Sequence, residues 1–198
     1  YVKGDGLLSY SADQIQQIVD AWGGICGRYF ADIFMAIIPH SDDCYEAIAE
    51  TISKAMRGFP IQPSPKIKLG IYPITNRDLP LSAMYDRSML ARATIRGHER
   101  IPFAVYEEKH REKALREQKI LSTIDEAMAK GEITIYLQPK YDLLSRKING
   151  AEVLARWISS TDGFISPAEF IPVLENNGRI FKLDLYVWEL ACKALRCW

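Results

Sequence analysis

A chain of 198 residues with 48% apolar and 11% aromatic residues can build one good domain or two small ones, which excludes an intrinsically disordered segment. Lysine and arginine total 25 and aspartate and glutamate 25, so no net charge draws the chain to a nucleic-acid polymer or an anionic membrane surface. Any nucleotide ligand must be held by local geometry. No apolar run reaches the roughly 20 residues of a membrane helix and no signal peptide opens the chain, which points to a cytoplasmic segment of a parent protein free to carry its anchor elsewhere. Cys26, Cys44, Cys192 and Cys197 form no CxxC pair and sit among apolar neighbours, the pattern of reduced, mostly buried thiols rather than of a disulfide framework or zinc site.

Residues 1–10 hold two glycines and no sustained period, whereas residues 11–22 place Ile15, Ile18 and Val19 on one face and read as a helix ended by Gly23 and Gly24. Residues 25–39 are dense in β-branched and aromatic side chains and long enough to fold back as a hairpin through Phe30 to Asp32. Ser41 is placed to cap a helix, with Asp42 and Asp43 favourable against its dipole and Cys44, Ile48, Ile52 and Ala55 forming its stripe; Gly58 and Pro60 stop it. A strand follows at residues 66–72, a helix at 81–96 and a short strand at 102–106. The order predicts an α/β sandwich of mixed sheet and covering helices over residues 1–107.

Residues 108–131 turn to charge, with Glu107 and Arg111, and Glu112 and Arg116, at the i,i+4 spacing of an exposed helix. Leu115, Leu121, Ile124 and Met128 leave one apolar stripe, so this stretch predicts a linker helix docked on one side. Two strands follow at residues 133–137 and 150–154. Ser166, Pro167 and Glu169 fit a capping box with proline at the first helical position, Pro172 restarts the helix and Gly178 closes it. A last amphipathic helix runs from about residue 182.

The stretch IYLQPKYDLLSRKINGAEVLARW, residues 135–157, delivers Gln138, Glu152 and Arg156 to expected strand ends, where a β/α barrel puts its ligands. Singly, each has an ordinary explanation: a solvated carboxylate, an arginine stacked on Trp157, a Gln-Pro strand exit. Together, with SPAEFIPVLENNGRI and LDLYVWELAC following in order, residues 132–198 resemble the opening of an EAL domain, the bacterial phosphodiesterase that cleaves cyclic di-GMP. The resemblance implies that Glu152 coordinates a magnesium or manganese ion that activates water and binds the scissile phosphate, that Arg156 contacts a substrate phosphate, and that Gln138 and Leu154 line the cleft. Val153 replaces the alanine of the motif, a small apolar exchange. Trp157, Tyr186 and Trp188 read as barrel packing.

Residues 11–107 resemble the GGDEF domain, the diguanylate cyclase fold, through RYFADIFMAIIP, KLGIYPI and YDRSMLARATIRG. In that family the hairpin turn reads Gly-Gly-Asp-Glu-Phe; here it reads Phe30, Ala31, Asp32, Ile33 and Phe34. Glycines there allow positive φ and close approach of a ligand, and the acidic residue after the aspartate holds divalent metal, for which Ile33 has no oxygen. Thr94 stands where a phosphate-contacting lysine is expected, and no Arg-x-x-Asp precedes the hairpin. The domain therefore reads as a dead cyclase kept as a regulatory or scaffold element, and Asp32 as a turn former.

A β/α barrel takes roughly 250 residues, so the expected barrel is incomplete, with the family's paired aspartates and lysine beyond residue 198. The expected chain is inactive alone and exposes faces that invite a second copy. The leading expectation is a segment of a protein that hydrolyses cyclic di-GMP. Its competitor is a non-catalytic scaffold that senses cyclic di-GMP or GTP, or binds a partner protein.

Overall fold

The computed structural model describes residues 2–39, 44–98 and 100–197. It contains two compact units, Tyr1–Arg111 and Glu112–Trp198.

In the first unit, α1 (Val2–Ala21) starts a turn and more before the expected residue 11. Gly4 and Gly6 give it little intrinsic helicity, so packing supplies the difference. The Tyr10 hydroxyl donates to the Ala55 carbonyl at 2.9 Å, and its ring sits 5.3 Å from that of Phe59. Gly23 ends α1 at φ 71°, as its position predicts. The strands β1 (Ile25–Phe30) and β2 (Ile33–Ile37) form the expected hairpin, and α2 (Cys44–Met56) buries Cys44, Ile48, Ala49, Ile52 and Met56. The cap expected at Ser41, with Asp42 and Asp43, lies outside the described residues.

The strands β3 (Leu69–Ile71) and β4 (Phe103–Val105) pair in parallel, joined by the crossover helix α3 (Leu81–Thr94). Gly70 is required where β3 meets α3: a Cβ there would lie 1.9 Å from the Ser88 carbonyl oxygen. Among the described residues the expected mixed sheet is present as two separate two-stranded ladders, one antiparallel and one parallel.

The helix α4 (Glu108–Ala129) spans the expected linker. Its buried residues are Ile120, Ile124, Ala127 and Met128, whereas Leu115 is 55% exposed and does not belong to the stripe. The expected i,i+4 pairs give way to others: Lys109 with Glu107 at 2.7 Å, and Arg111 with Glu108 at 3.2 Å. Arg116 turns to Asp162 and Glu169.

The second unit is a three-stranded antiparallel sheet, β5 (Ile133–Asp142), β6 (Lys147–Ser159) and β7 (Gly163–Ile165), covered by α4, α5 (Pro167–Asn176) and α6 (Ile180–Leu195). Its core joins Ile120, Ile124, Ile133, Trp157, Ile165, Phe170, Leu174 and Leu183. Both long strands outrun the predicted ones. Ser166 makes no side-chain cap; its backbone carbonyl accepts from the Glu169 amide at 2.9 Å, the Glu169 carboxylate pairs with Arg116, and Pro172 lies inside one continuous α5. Tyr186 and Trp157 pack as expected, but Trp188 is 64% exposed. Of the cysteines only Cys44 is buried; Cys192 and Cys197 are exposed, which corrects the expectation of mostly buried thiols.

Candidate functional site

Only four residues, 143–146, join β5 to β6, too few for the crossover that a parallel pair needs, so the strands must run antiparallel. Asp142 builds the turn: its carboxylate accepts from the Leu144 amide at 2.8 Å and the Ser145 amide at 3.3 Å, which holds its pKa below the usual carboxylate range. Arg146 takes φ 57° to close it.

The ladder sets Gln138 opposite Glu152, Tyr136 opposite Leu154 and Thr134 opposite Arg156. Cross-strand partners share a face and neighbours along a strand alternate, so these six side chains occupy one face of the sheet. The other face carries Ile133, Ala155 and Trp157 into the core, with Ile133 and Trp157 each 1% exposed. Gln138, Glu152, Leu154 and Arg156 are thus brought together on the face turned away from that core, in three successive rungs. Gln138 and Glu152 are exposed, and Leu154 and Arg156 half-buried. They lie within the strands rather than at strand ends, because hairpin pairing extends both strands past them.

The Arg156 guanidinium lies 5.3 Å from the centre of the Tyr136 ring and donates to the Ala155 carbonyl at 2.8 Å. Its aromatic neighbour is Tyr136, not Trp157, which points to the opposite face. Tyr136 is the site residue that sequence reading missed, although the alternation counted back from Gln138 would have found it. Trp157 is held from behind: its indole NH donates to Glu132 at 3.5 Å, and Glu132 accepts from the Ser160 hydroxyl at 2.6 Å, which with burial of the ring fixes the strand.

Glu152 and Gln138 offer carboxylate and amide oxygens, the donors that a hard divalent cation prefers. Among the described residues no three His, Cys, Asp or Glu side chains cluster closely enough to hold a metal ion. One carboxylate is one ligand, so the face can contribute to a metal site but cannot complete one.

In the first unit, Phe30 pairs with Ile33 around a turn of Ala31 and Asp32, with a bulge at Tyr29. Ala31 adopts φ 47°, so the turn has the left-handed backbone that glycine would adopt without strain. The Arg28 side chain donates to the Ala31 carbonyl at 2.7 Å and holds it there. Phe30 is 71% exposed, and both Ala31 and Asp32 face solvent. Phe34 is half-buried. The Thr94 hydroxyl donates to the Ala91 carbonyl of its own helix at 2.8 Å. No described helix is long and apolar enough to cross a membrane.

The family model of the EAL domain matches residues 121–198. MucR of Pseudomonas aeruginosa, a bifunctional diguanylate cyclase/cyclic di-GMP phosphodiesterase, is 26% identical over 205 residues, covering 98% of this chain and 29% of that protein. PdeI of Escherichia coli, a probable cyclic di-GMP phosphodiesterase, is 39% identical over 77 residues, 39% of this chain and 10% of that one. Among solved structures, the S helix-GGDEF-EAL part of Vibrio cholerae LapD, bound to c-di-GMP, matches with a TM-score of 0.54 at 17% identity, over 97% of this chain and 46% of that one, a likeness of fold. The chain spans about a quarter of the length of the first curated relatives it matches. Over nearly all its length the chain is similar in sequence to MucR and in fold to the GGDEF-EAL part of LapD, and its residues 121–198 match the EAL-domain family model.

Proposed function

We propose that this chain is part of a cytoplasmic cyclic di-GMP phosphodiesterase, and that the open face of the β5–β6 hairpin supplies one wall of its substrate site. The observation that carries the reading is the ladder itself: Gln138 opposite Glu152, with Leu154 and Arg156 following on the same face. In this reading Glu152 is one ligand to a magnesium or manganese ion, which when bound polarises the phosphate and lowers the pKa of water. Arg156 offers a planar pair of N–H donors to a phosphate oxygen, and its charge is permanent, so its role is binding and orientation. Gln138 and Leu154 border the substrate, one by hydrogen bonding and the other by apolar contact. Residues 132–198 are the first strands and helices of an EAL-type barrel whose remaining ligands come from elsewhere in the full-length protein.

Residues 1–107 are a GGDEF-like unit without cyclase activity, joined through the helix of residues 108–131. The exposed Phe30 ring and the Ile33 side chain support this, since both flank the turn and neither offers an oxygen to metal. Its role is regulatory or that of a scaffold, including contact with a second copy. Free cysteines agree with a reducing compartment.

Glu152→Ala in the full-length protein tests the assignment. Metal-dependent hydrolysis of cyclic di-GMP should fall by on the order of a hundredfold or more. Turnover equal to wild type would remove the site from this face. Titration of cyclic di-GMP with calcium present, into this chain and into the full-length protein, separates the units: binding by the full-length protein alone places the ligand in the completed EAL domain.

A further inference from the structure

We propose that Tyr136 is a positioning residue: its ring is the platform that leans the Arg156 guanidinium along the sheet toward the Gln138–Glu152 rung. This rests on the reading of Arg156 as a phosphate contact and adds how that contact is aimed.

The geometry begins with register. Glu152 and Arg156 are four residues apart on one extended strand, so their Cα atoms are separated by about 13 Å at 3.3 Å per residue. A phosphate held by both a metal at Glu152 and the guanidinium cannot span that distance if Arg156 stands upright from the sheet. Tyr136 pairs with Leu154, one rung nearer to Glu152, and is therefore the diagonal neighbour of Arg156 across the ladder. Diagonal neighbours lie roughly 7–8 Å apart at Cα, within reach of long and aromatic side chains.

The 5.3 Å separation of guanidinium and ring shows that Arg156 takes this diagonal. A cation over a tyrosine face is attracted by the ring quadrupole, and a guanidinium held there still has N–H groups to offer a phosphate. The hydrogen bond to the Ala155 carbonyl fixes the other side of the group. Leu154, the partner of Tyr136 in the same rung, stands on the same face beside it. Tyr136 is itself 55% exposed, so its role is not core packing.

The test uses the full-length protein and cyclic di-GMP with calcium present, read by titration. Tyr136→Ile keeps strand propensity and removes the ring; it should weaken binding about two- to fivefold, whereas Tyr136→Phe, which keeps the ring, should bind as wild type. In an Arg156→Ala background, Tyr136→Ile should add nothing. An unchanged affinity in Tyr136→Ile while Arg156→Ala weakens binding overturns the positioning role and leaves the site reading intact. Loss in Tyr136→Phe, or a further loss beyond Arg156→Ala, makes Tyr136 a direct ligand contact and also overturns it.

Binding by Arg156→Ala equal to wild type removes the site reading instead, and the positioning role with it. A second measurement needs no ligand: the Arg156 Nε–H proton resonance should carry a ring-current shift that survives Tyr136→Phe and disappears in Tyr136→Ile. A resonance indifferent to Tyr136→Ile refutes the contact. Thermal unfolding of both variants should match wild type, as expected for a half-exposed side chain.

Discussion

The two hairpins of this chain are built alike and carry their candidate residues in different places. In each, two antiparallel strands are joined by a short turn whose backbone enters the left-handed region at a non-glycine residue, Ala31 at φ 47° and Arg146 at φ 57°. In the first, the residues singled out by resemblance are at the turn itself, where the backbone is left-handed at Ala31 and where Phe30, Ala31 and Ile33 carry no polar side chain. In the second, the residues that matter are in the middle of the ladder, where pairing fixes which face each side chain takes. The shape of that turn does not depend on glycine, because Arg28 and the strands hold it. A ladder ties chemistry to folding, because a slip of one residue would put Trp157 in water and Arg156 in the core.

The sharpest test of that difference contrasts neighbours on β6. Trp157→Ala should destabilise the second unit by about 3–5 kcal/mol, since it empties a fully buried site against Phe170, whose ring centre is 5.6 Å away. Arg156→Ala, one residue earlier on the open face, should leave the denaturant midpoint within experimental scatter of wild type while weakening ligand binding. Comparable destabilisation by both would mean that the two faces are not distinct.

At the first hairpin, Ala31→Gly should stabilise the unit by about 0.5–1 kcal/mol: relief of a left-handed alanine outweighs the added freedom of the unfolded chain. A lower thermal midpoint for the glycine variant would show that the turn is not strained as its backbone implies.

A smaller effect is expected from pH in the second unit. Asp162 is held below the usual carboxylate range, first by the hydrogen bond from Lys119 at 2.7 Å, and further by the charges of Lys119 and Arg116. A carboxylate depressed in the folded state stabilises it above the unfolded pKa, near 4, and that contribution disappears as pH falls through the folded value. Asp162→Asn should therefore be less stable than wild type at neutral pH and lose less on acidification below about pH 4, read from urea midpoints. Identical slopes would detach this cluster from acid stability.

The smallest effect is chemical. Cys192 and Cys197 should react with a thiol reagent in the native protein, and Cys44 only after unfolding. Fast modification of Cys44 would contradict the packing of α2.

Much of this molecule is legible in its residues, for reasons local to the chain. Periodicity and the punctuation by Gly23, Gly58, Gly131 and Gly178 mark nearly every helix, since turn chemistry and amphipathic spacing act over a few residues. The first hairpin is visible for the same reason, and so are the four candidate site residues as a motif. What the residues did not disclose depends on partners distant in sequence. The early start of α1 comes from Tyr10 docking on Ala55 and Phe59, and the division of the first unit's strands into two ladders is a matter of long-range pairing. Arg116 abandons Glu112 for Asp162 and Glu169, some 50 residues on, and takes the capping glutamate of α5 with it. Most of all, only the antiparallel register moved Gln138 and Glu152 from expected strand ends to the middle of an open face and set Tyr136 beneath Arg156. Sequence by itself determined which residues are candidates, because residue type and spacing are properties of the chain. Tertiary structure decided which of them face one another, because cross-strand pairing joins positions whose separation along the chain carries no signal of their meeting.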